Sequence, residues 1–237
     1  MSAPRVSIVT STFNRPAMLQ RTIRSVLAQR GCDDWEMCIV GDCTPDDSAA
    51  VVAAFGDPRL RFHNLPVKSP PGAHGSIAKN HALFQMARAP FIAYLDDDDE
   101  YLPDFLRVML QAAADHPECP LVYCRAQYRD RDSGRRLWGN PFHGALKWSQ
   151  ENLLKYNFLV SNGVVHTRAV LDEVGGWNPG DYFDDYDLWK RIAARHDFFF
   201  VNRALCVVYT RAEPFIRRLF TKGWKILRHG RRLQDQG

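Results

Sequence analysis

Phe91-Ile92-Ala93-Tyr94-Leu95-Asp96-Asp97-Asp98-Asp99 is the stretch that decides the fold. A short, unbroken apolar run bounded by turn-forming residues predicts a strand buried on both faces, as in a parallel sheet. An unbroken run of aspartates follows it. Adjacent carboxylates repel one another unless a cation or hydrogen-bond donors compensate them. Mg²⁺ and Mn²⁺ are hard cations that take carboxylate oxygens, and Mg²⁺ is usually held by one or two carboxylates together with substrate phosphates. A solvated acidic loop is the plain alternative, but a position directly after a buried strand favours the cation.

Outward from this stretch the same unit recurs. Val6 to Val9 predicts a strand, Asn14-Arg15-Pro16 a turn, and Leu19, Ile23, Val26 and Leu27 a helix by their spacing. Glu36 to Val40 predicts a second strand ending in Gly41-Asp42-Cys43-Thr44-Pro45-Asp46, with Asp46 placed to cap an Ala-rich helix reaching Phe55. Leu60 to Leu65 predicts a third strand, the segment 66–75 a loop rich in Pro and Gly, and the residues to Arg88 a helix. Strands alternating with helices of this length predict an α/β fold, a mostly parallel sheet with helices on both faces. Ligands of such sheets bind beyond the carboxyl ends of the strands. Ser11 to Arg15, Asp42 to Asp47 and Asp96 to Asp99 each follow a strand and are therefore expected to share one edge and one site.

The second half is less regular. Strands are expected at Leu121 to Cys124, Gly163 to His166, Phe198 to Val201 and Cys206 to Tyr209, with a polar stretch from Arg125 to Gly144 and an aromatic segment from Trp148 to Phe158. Helices are expected over Ala169 to Val174, stopped by Gly175-Gly176, and over Tyr186 to Ala194. Asp184 and Asp185 precede the latter helix, where the macrodipole stabilises anions. Capping explains them, and so does taking a proton from an attacking hydroxyl. Asp42 likewise reads either as a turn aspartate or as the acceptor of a nucleobase N–H.

A chain of 237 residues with 46% hydrophobic content suits one catalytic domain, expected over residues 1–210, and a net charge of +4 says little about partners. The N-terminal Met1 to Arg5 runs into Val6-Ser7-Ile8-Val9, which is too short and wrongly flanked for a signal peptide, and no apolar run is long enough to span a bilayer. A cytoplasmic protein is expected. The six cysteines lack CxxC and zinc-finger spacings and read as reduced thiols. No glycine-rich phosphate loop follows the first strand, where Thr10-Ser11-Thr12-Phe13-Asn14 stands. This argues against sugar nucleotidyltransferases and dinucleotide dehydrogenases, leaving a non-catalytic sugar-nucleotide-binding or membrane-bound scaffold as the rival from another class. Residues 211–237 set Phe215, Ile216, Leu219, Phe220, Ile226 and Leu227 against Arg217, Arg218, Lys222, Lys225 and Arg228. Such a basic amphipathic helix either lies on an anionic membrane, at the inner face, or docks on the domain. No nucleic-acid motif accompanies its charge.

Over residues 4–210 the chain resembles the family 2 glycosyltransferases. The motifs VSIVTSTFNRPAMLQRTIRSVLAQ (6–29), IVGDCTPDDS (39–48), FIAYLDDDDEYLP (91–103), LDEVGGWNP (171–179) and DDYDLWKRI (184–192) fall in that family's order and spacing. The resemblance implies a GT-A fold, a nucleotide-diphospho-sugar donor, most commonly a UDP-sugar, a divalent metal, Mn²⁺ or Mg²⁺, and inversion at the anomeric carbon. It implies transfer to a carbohydrate or lipid-linked acceptor, as in bacterial-type surface polysaccharide or glycolipid synthesis. A donor-binding half over 1–100 and an acceptor-binding half over 101–210 follow. By the same resemblance Asp98 is the metal ligand, Asp96 or Asp97 lies near the ribose, and Asp42 contacts the base. Ser11 and Phe13 line the nucleoside pocket with Arg15 close by, His74 and Lys79 approach the diphosphate, and Asp185 is the general base. Gly41 replaces the first Asp of a common pair, Lys79 a frequent Arg, and Asp184 a more usual Glu. Trp138, Phe142, Trp148 and Tyr156 are candidate platforms for acceptor sugar rings, or aromatic core.

Overall fold

The computed structural model describes residues 3–137, 148–180 and 184–211. Strands β1 (Val6–Thr12), β2 (Trp35–Gly41), β3 (Leu60–Asn64) and β4 (Phe91–Tyr94) pair in parallel in the order β3-β2-β1-β4. Between them run α1 (Pro16–Leu27), α2 (Ser48–Ala53) and α3 (Ser76–His81), the last continuing as a π-helical turn over Ala82–Met86. Then come β5 (Glu100–Tyr101), α4 (Phe105–Asp115), β6 (Leu121–Asp130), β7 (Arg136–Leu137), α5 (Gln150–Lys155), β8 (Val164–Thr167), α6 (Val170–Val174), α7 (Asp184–Ala193) and β9 (Phe198–Thr210).

Local chemistry accounts for the helix ends. Pro16 opens α1, where its fixed φ suits the first turn and its missing N–H costs nothing. Asp46 accepts the Ser48 N–H at 3.0 Å, but Asp47 holds the cap position and α2 ends at Ala53, short of Phe55. Gly175, at φ 76°, stops α6.

The parallel expectation holds for the first four strands. Beyond them β8 enters antiparallel beside β4, β6 runs antiparallel to β8, and β9 runs parallel to β6. Two expectations change here. Instead of ending at Cys124, β6 runs on to Asp130, and the two short strands near the C-terminus are one strand, β9. Register shifts around Cys124, Arg125 and Ala126 let β6 and β9 stay paired through the irregularity. Helix α4 was also not anticipated, although Phe105, Leu106, Met109 and Leu110 bury one face at helical spacing.

Helices cover both faces of the sheet. On one, α1 supplies Leu19, Ile23 and Val26, and α4, lying over β6, β8 and β9, supplies Phe105 and Met109 to one core. On the other, α3, α6 and α7 enclose an aromatic cluster in which Tyr94 meets Trp177 edge-on at 5.0 Å, and Trp177 meets Trp189 at 5.9 Å. Trp148 stacks on Phe198 and Tyr156 meets Phe158 edge-on, so both pack against aromatic neighbours; Trp138 and Phe142 lie outside the described residues. All six cysteines are free. Among the described residues no helix is long and apolar enough to cross a membrane, and the basic segment lies outside them from residue 212 onward.

His166 on β8 is buried in the aromatic cluster. Its Nδ1 lies 2.7 Å from the Thr167 carbonyl, which only accepts, so Nδ1 carries the hydrogen and Nε2 accepts the Tyr94 hydroxyl at 2.8 Å. Burial lowers its pKa to about 4, against an ordinary 6.5, despite the bond to Thr167. Between those values the unfolded chain binds more protons, so this residue's contribution of about 3 kcal/mol is present above the ordinary value and lost as pH falls through the folded one. Asp97 and Asp184 carry the opposite sign, since burial raises both folded values to about 6. The His166 component is isolated by difference. In urea melts, the stability deficit of His166→Gln relative to the parent is expected to shrink as pH falls from 6.5 towards 4; a constant deficit would refute the buried neutral imidazole.

Candidate active site

The loops after β1, β2 and β4 meet at the carboxyl edge of the parallel strands. Thr10 donates its hydroxyl to the Leu95 carbonyl at 2.7 Å, and Thr12 donates to the Asp97 carboxylate at 2.8 Å, joining β1 to the acidic turn. From α1, Thr22 and Arg21 donate to the carbonyls of Asp99 and Asp98. Asn162 completes the frame, accepting the Asp96 N–H at 2.8 Å and donating to the Asp99 carboxylate. Residues at positive φ cluster in the same loops: Asn14 at 55°, Cys43 at 51° and His74 at 45°. For a residue with a Cβ this conformation costs about 1 kcal/mol or more, which the surrounding bonds sustain.

Each aspartate of the run has its own environment. Asp96 holds its carboxylate open, 42% exposed, with Oδ1 3.5 Å from Lys79 Nζ. Asp97 is buried between Thr12 and Arg15, the latter at 3.0 Å; desolvation raises its pKa to about 6, although both partners pull downward. Asp98 Oδ2 receives Arg15 at 3.2 Å and Arg131 at 2.5 Å. Asp99 is buried beneath, bonded to Asn162 and to the Tyr209 N–H, and burial raises its pKa well above the ordinary value. Arg15 therefore reaches across to the acidic turn, which its place beside the nucleoside motif did not foretell.

Asp42 is also satisfied internally. Its Oδ1 accepts the N–H and hydroxyl of Ser69, at 2.9 and 2.6 Å, and its Oδ2 accepts Lys68 Nζ at 2.7 Å. Desolvation pushes its pKa up, but the Lys68 and Ser69 bonds outweigh this and hold it below the ordinary value. The same ammonium sits 3.2 Å from the centre of the Phe13 ring, which is 41% exposed. Ser11 packs against Gly75, where a Cβ would stand 2.7 Å from its hydroxyl, so this left-handed turn at φ 84° requires glycine. His74, exposed, precedes it.

Lys79 joins the acidic turn to the start of α7. Its ammonium is buried, lies 4.3 Å over the Trp177 ring, and faces the charges of Asp96, Asp184 and Asp185, which raise its pKa against desolvation. Asp185 Oδ1 accepts the Tyr186 N–H at 2.7 Å, and Oδ2 accepts from Asn157 and Ser161, each at 3.2 Å. Burial raises its pKa, opposed by Lys79 and these donors. Asp184 is buried with its pKa raised to about 6, again by burial against Lys79; its Oδ2 has no partner among the described residues.

The motif 171–179 builds the floor. Asn80 accepts the Trp177 N–H at 2.9 Å and donates to the Trp177 carbonyl at 2.8 Å, clasping the motif to α3. A Cβ on Gly176 would fall 2.4 Å from the Asn80 side-chain oxygen, so only glycine permits the clasp. Arg191 of α7 donates to the Val174 and Gly176 carbonyls.

Sequence reasoning thus gathered Ser11, Phe13, Arg15, Asp42, Lys79, the aspartate run and Asp185 at one edge. It missed Lys68, Ser69, Arg131, Asn157, Ser161 and Asn162. Ser161 and Asn162 immediately precede an expected strand, a polar position that could have pointed to them; Lys68, Ser69 and Arg131 sit in loops without periodicity.

The family model for glycosyl transferase family 2 matches residues 7–174. The chain belongs to that family. It is 34% identical, over 199 residues, to the GalNAc(5)-diNAcBac-PP-undecaprenol beta-1,3-glucosyltransferase of Campylobacter jejuni, covering 83% of this chain and 62% of that one. It is 39% identical, over 110 residues, to the succinoglycan biosynthesis protein ExoO of Rhizobium meliloti, covering 46% of this chain and 30% of ExoO. Among solved structures, S. aureus TarS 1-349 in complex with UDP-GlcNAc superposes with a TM-score of 0.71 at 17% identity, over 89% of this chain and 60% of that one. The mannosyltransferase PcManGT of Pyrobaculum calidifontis, in complex with GDP-Man and Mn²⁺, gives 0.66 at 19%, over 91% and 59%. The fold is the GT-A glycosyltransferase fold. The chain spans between 30% and 62% of the length of these two curated relatives.

Proposed function

We propose that the chain is a metal-dependent inverting glycosyltransferase, moving a sugar from a nucleotide-diphospho-sugar, first a UDP-sugar, to a hydroxyl of a carbohydrate or lipid-linked acceptor. One observation carries the reading: a single buried ammonium, Lys79, faces the open carboxylate of Asp96 and the paired carboxylates Asp184 and Asp185. A donor-side acid and a candidate base are thereby held around one point, as attack on a donor-bound anomeric carbon requires. Residues 1–100 bind the donor in this reading, with Ser11, Phe13 and Asp42 at the nucleoside and His74 and Lys79 towards the diphosphate. Residues 101–210 serve the acceptor. Asp97, turned inward, positions Arg15. The undecaprenol-linked substrate named for the Campylobacter relative supports a lipid-linked acceptor in surface polysaccharide or glycolipid synthesis, and a place at the inner face of a membrane. Residues 211–237 would then supply peripheral contact.

Among the described residues no three carboxylate, histidine or cysteine side chains converge on one ion. Asp96 and Asp98 offer hard oxygen donors only, a set that fits Mn²⁺ or Mg²⁺ completed by diphosphate oxygens. Bound there, the cation would neutralise charge on the departing nucleoside diphosphate. Asp185 holds an acceptor hydroxyl and receives its proton, while Asn157 and Ser161 fix the carboxylate's orientation. Asp98→Ala is expected to weaken Mn²⁺-dependent binding of UDP by about tenfold or more, read by calorimetry. Unchanged Mn²⁺-dependent affinity would remove Asp98 from the metal site, and the absence of nucleotide release with any donor and acceptor would defeat the transferase reading.

A further inference from the structure

Arg131 lies far in sequence from every motif considered above, yet its guanidinium reaches the acidic turn. It sits in the turn between β6 and β7 and is fixed through its backbone N–H, which donates to the Thr210 carbonyl at 2.9 Å. Its Nη2 donates to Asp98 Oδ2 at 2.5 Å and approaches the Tyr209 carbonyl at only 3.4 Å. Its Nε is buried and has no hydrogen-bond partner among the described residues. Arg15 bonds the same Asp98 oxygen. Two guanidiniums thus converge on one carboxylate oxygen, and one of them retains an unused donor beside it.

A buried N–H without a partner is costly, so an orphaned guanidinium donor at a site edge marks a missing acceptor. A guanidinium presents its donors as a planar fork that matches phosphate oxygens. A cation taken up at Asp98 Oδ2 competes with Arg131 for that oxygen, and a displaced guanidinium needs another anion. We infer that Arg131 is a donor-binding residue that exchanges partners: it neutralises Asp98 in the free protein and turns to the diphosphate of the incoming nucleotide. This rests on the glycosyltransferase reading and adds to it a phosphate contact from the second half of the chain. No bond is made or broken in the exchange except hydrogen bonds.

The exchange predicts effects of opposite sign, which a purely structural arginine would not produce. In Arg131→Met, Mn²⁺ alone is expected to bind roughly 30-fold more tightly, the weight of one positive charge on a divalent ion at contact distance in water. UDP or GDP in saturating Mn²⁺ is expected to bind roughly 10- to 100-fold more weakly, as for loss of a hydrogen bond to a charged group. Uridine and guanosine, lacking phosphates, serve as controls and are expected to bind the variant and the parent alike. Calorimetry reads all of these, and Arg131→Lys, which keeps the charge without the fork, is expected to fall between parent and Met variant and remains informative should Arg131→Met misfold. Tighter Mn²⁺ binding with unchanged nucleoside diphosphate affinity would reduce Arg131 to a counter-charge and overturn the inference. Equal weakening of nucleoside and nucleoside diphosphate would overturn it as well, by showing a general loss of the site. If the parent binds neither UDP nor GDP with Mn²⁺, the glycosyltransferase reading fails first and takes this inference with it.

Discussion

Asp185→Asn is expected to lower sugar transfer by about 10²- to 10⁴-fold while nucleotide binding stays at the parental value. An amide oxygen accepts a hydrogen bond but does not take up a proton at neutral pH. The Tyr186 N–H, 2.7 Å from Oδ1, can keep its acceptor in the variant, so the start of α7 is preserved. The other carboxylate position must become an NH₂ facing the Asn157 donor, and Ser161 can rotate to accept from it. The parent gives the complementary readout. Because burial raises the Asp185 pKa against the pull of Lys79, kcat/KM should fall on the acid side at a pH above the ordinary carboxylate range. Single-turnover transfer beside nucleotide titration checks the variant, and parental transfer rates in Asp185→Asn would remove this residue from the proton path.

Trp177→Ala is expected to cost about 3–5 kcal/mol, the range for emptying a buried aromatic site. The ring is 2% exposed, meets Tyr94 and Trp189 edge-on, and lies under the Lys79 ammonium. For a chain of this length that is a fall in Tm of roughly 10 °C by calorimetric scan. A fall of a degree or two would show that the cluster repacks around the gap. The loss extends to the site, because the ring gives the Lys79 ammonium its aromatic face, while the Asn80 clasp, made to the Trp177 backbone, stays in the variant.

The carboxyl edge of the parallel strands was legible because each of its polar clusters follows a short apolar strand. Strand polarity alone places Ser11, Asp42 and Asp96 together. What each carboxylate bonds to was not legible. Asp97 turns inward to Thr12 and Arg15, and Asp42 is sealed by Lys68 and Ser69, in loops that no periodicity encodes. The second half was read short for a related reason. A register shift lets β6 and β9 continue through Arg125 and Arg203, where the alternation of apolar residues breaks and a strand reading stops. Helix α4 carries a plain periodic signal in Phe105, Leu106, Met109 and Leu110, so it was legible too.

The left-handed residues Asn14, Cys43 and His74 also bear on how this chain would respond to engineering. Glycine at any of them relieves steric cost in the folded loop but adds freedom to the unfolded chain, so the two effects oppose each other in a melting experiment. A library screened only for heat resistance would therefore sort these positions by a small residual and could discard the side chains that hold the loops in place. On the glycosyltransferase reading, selection at these sites should score nucleotide affinity alongside melting, since the two opposing effects leave melting a weak guide to what these side chains do.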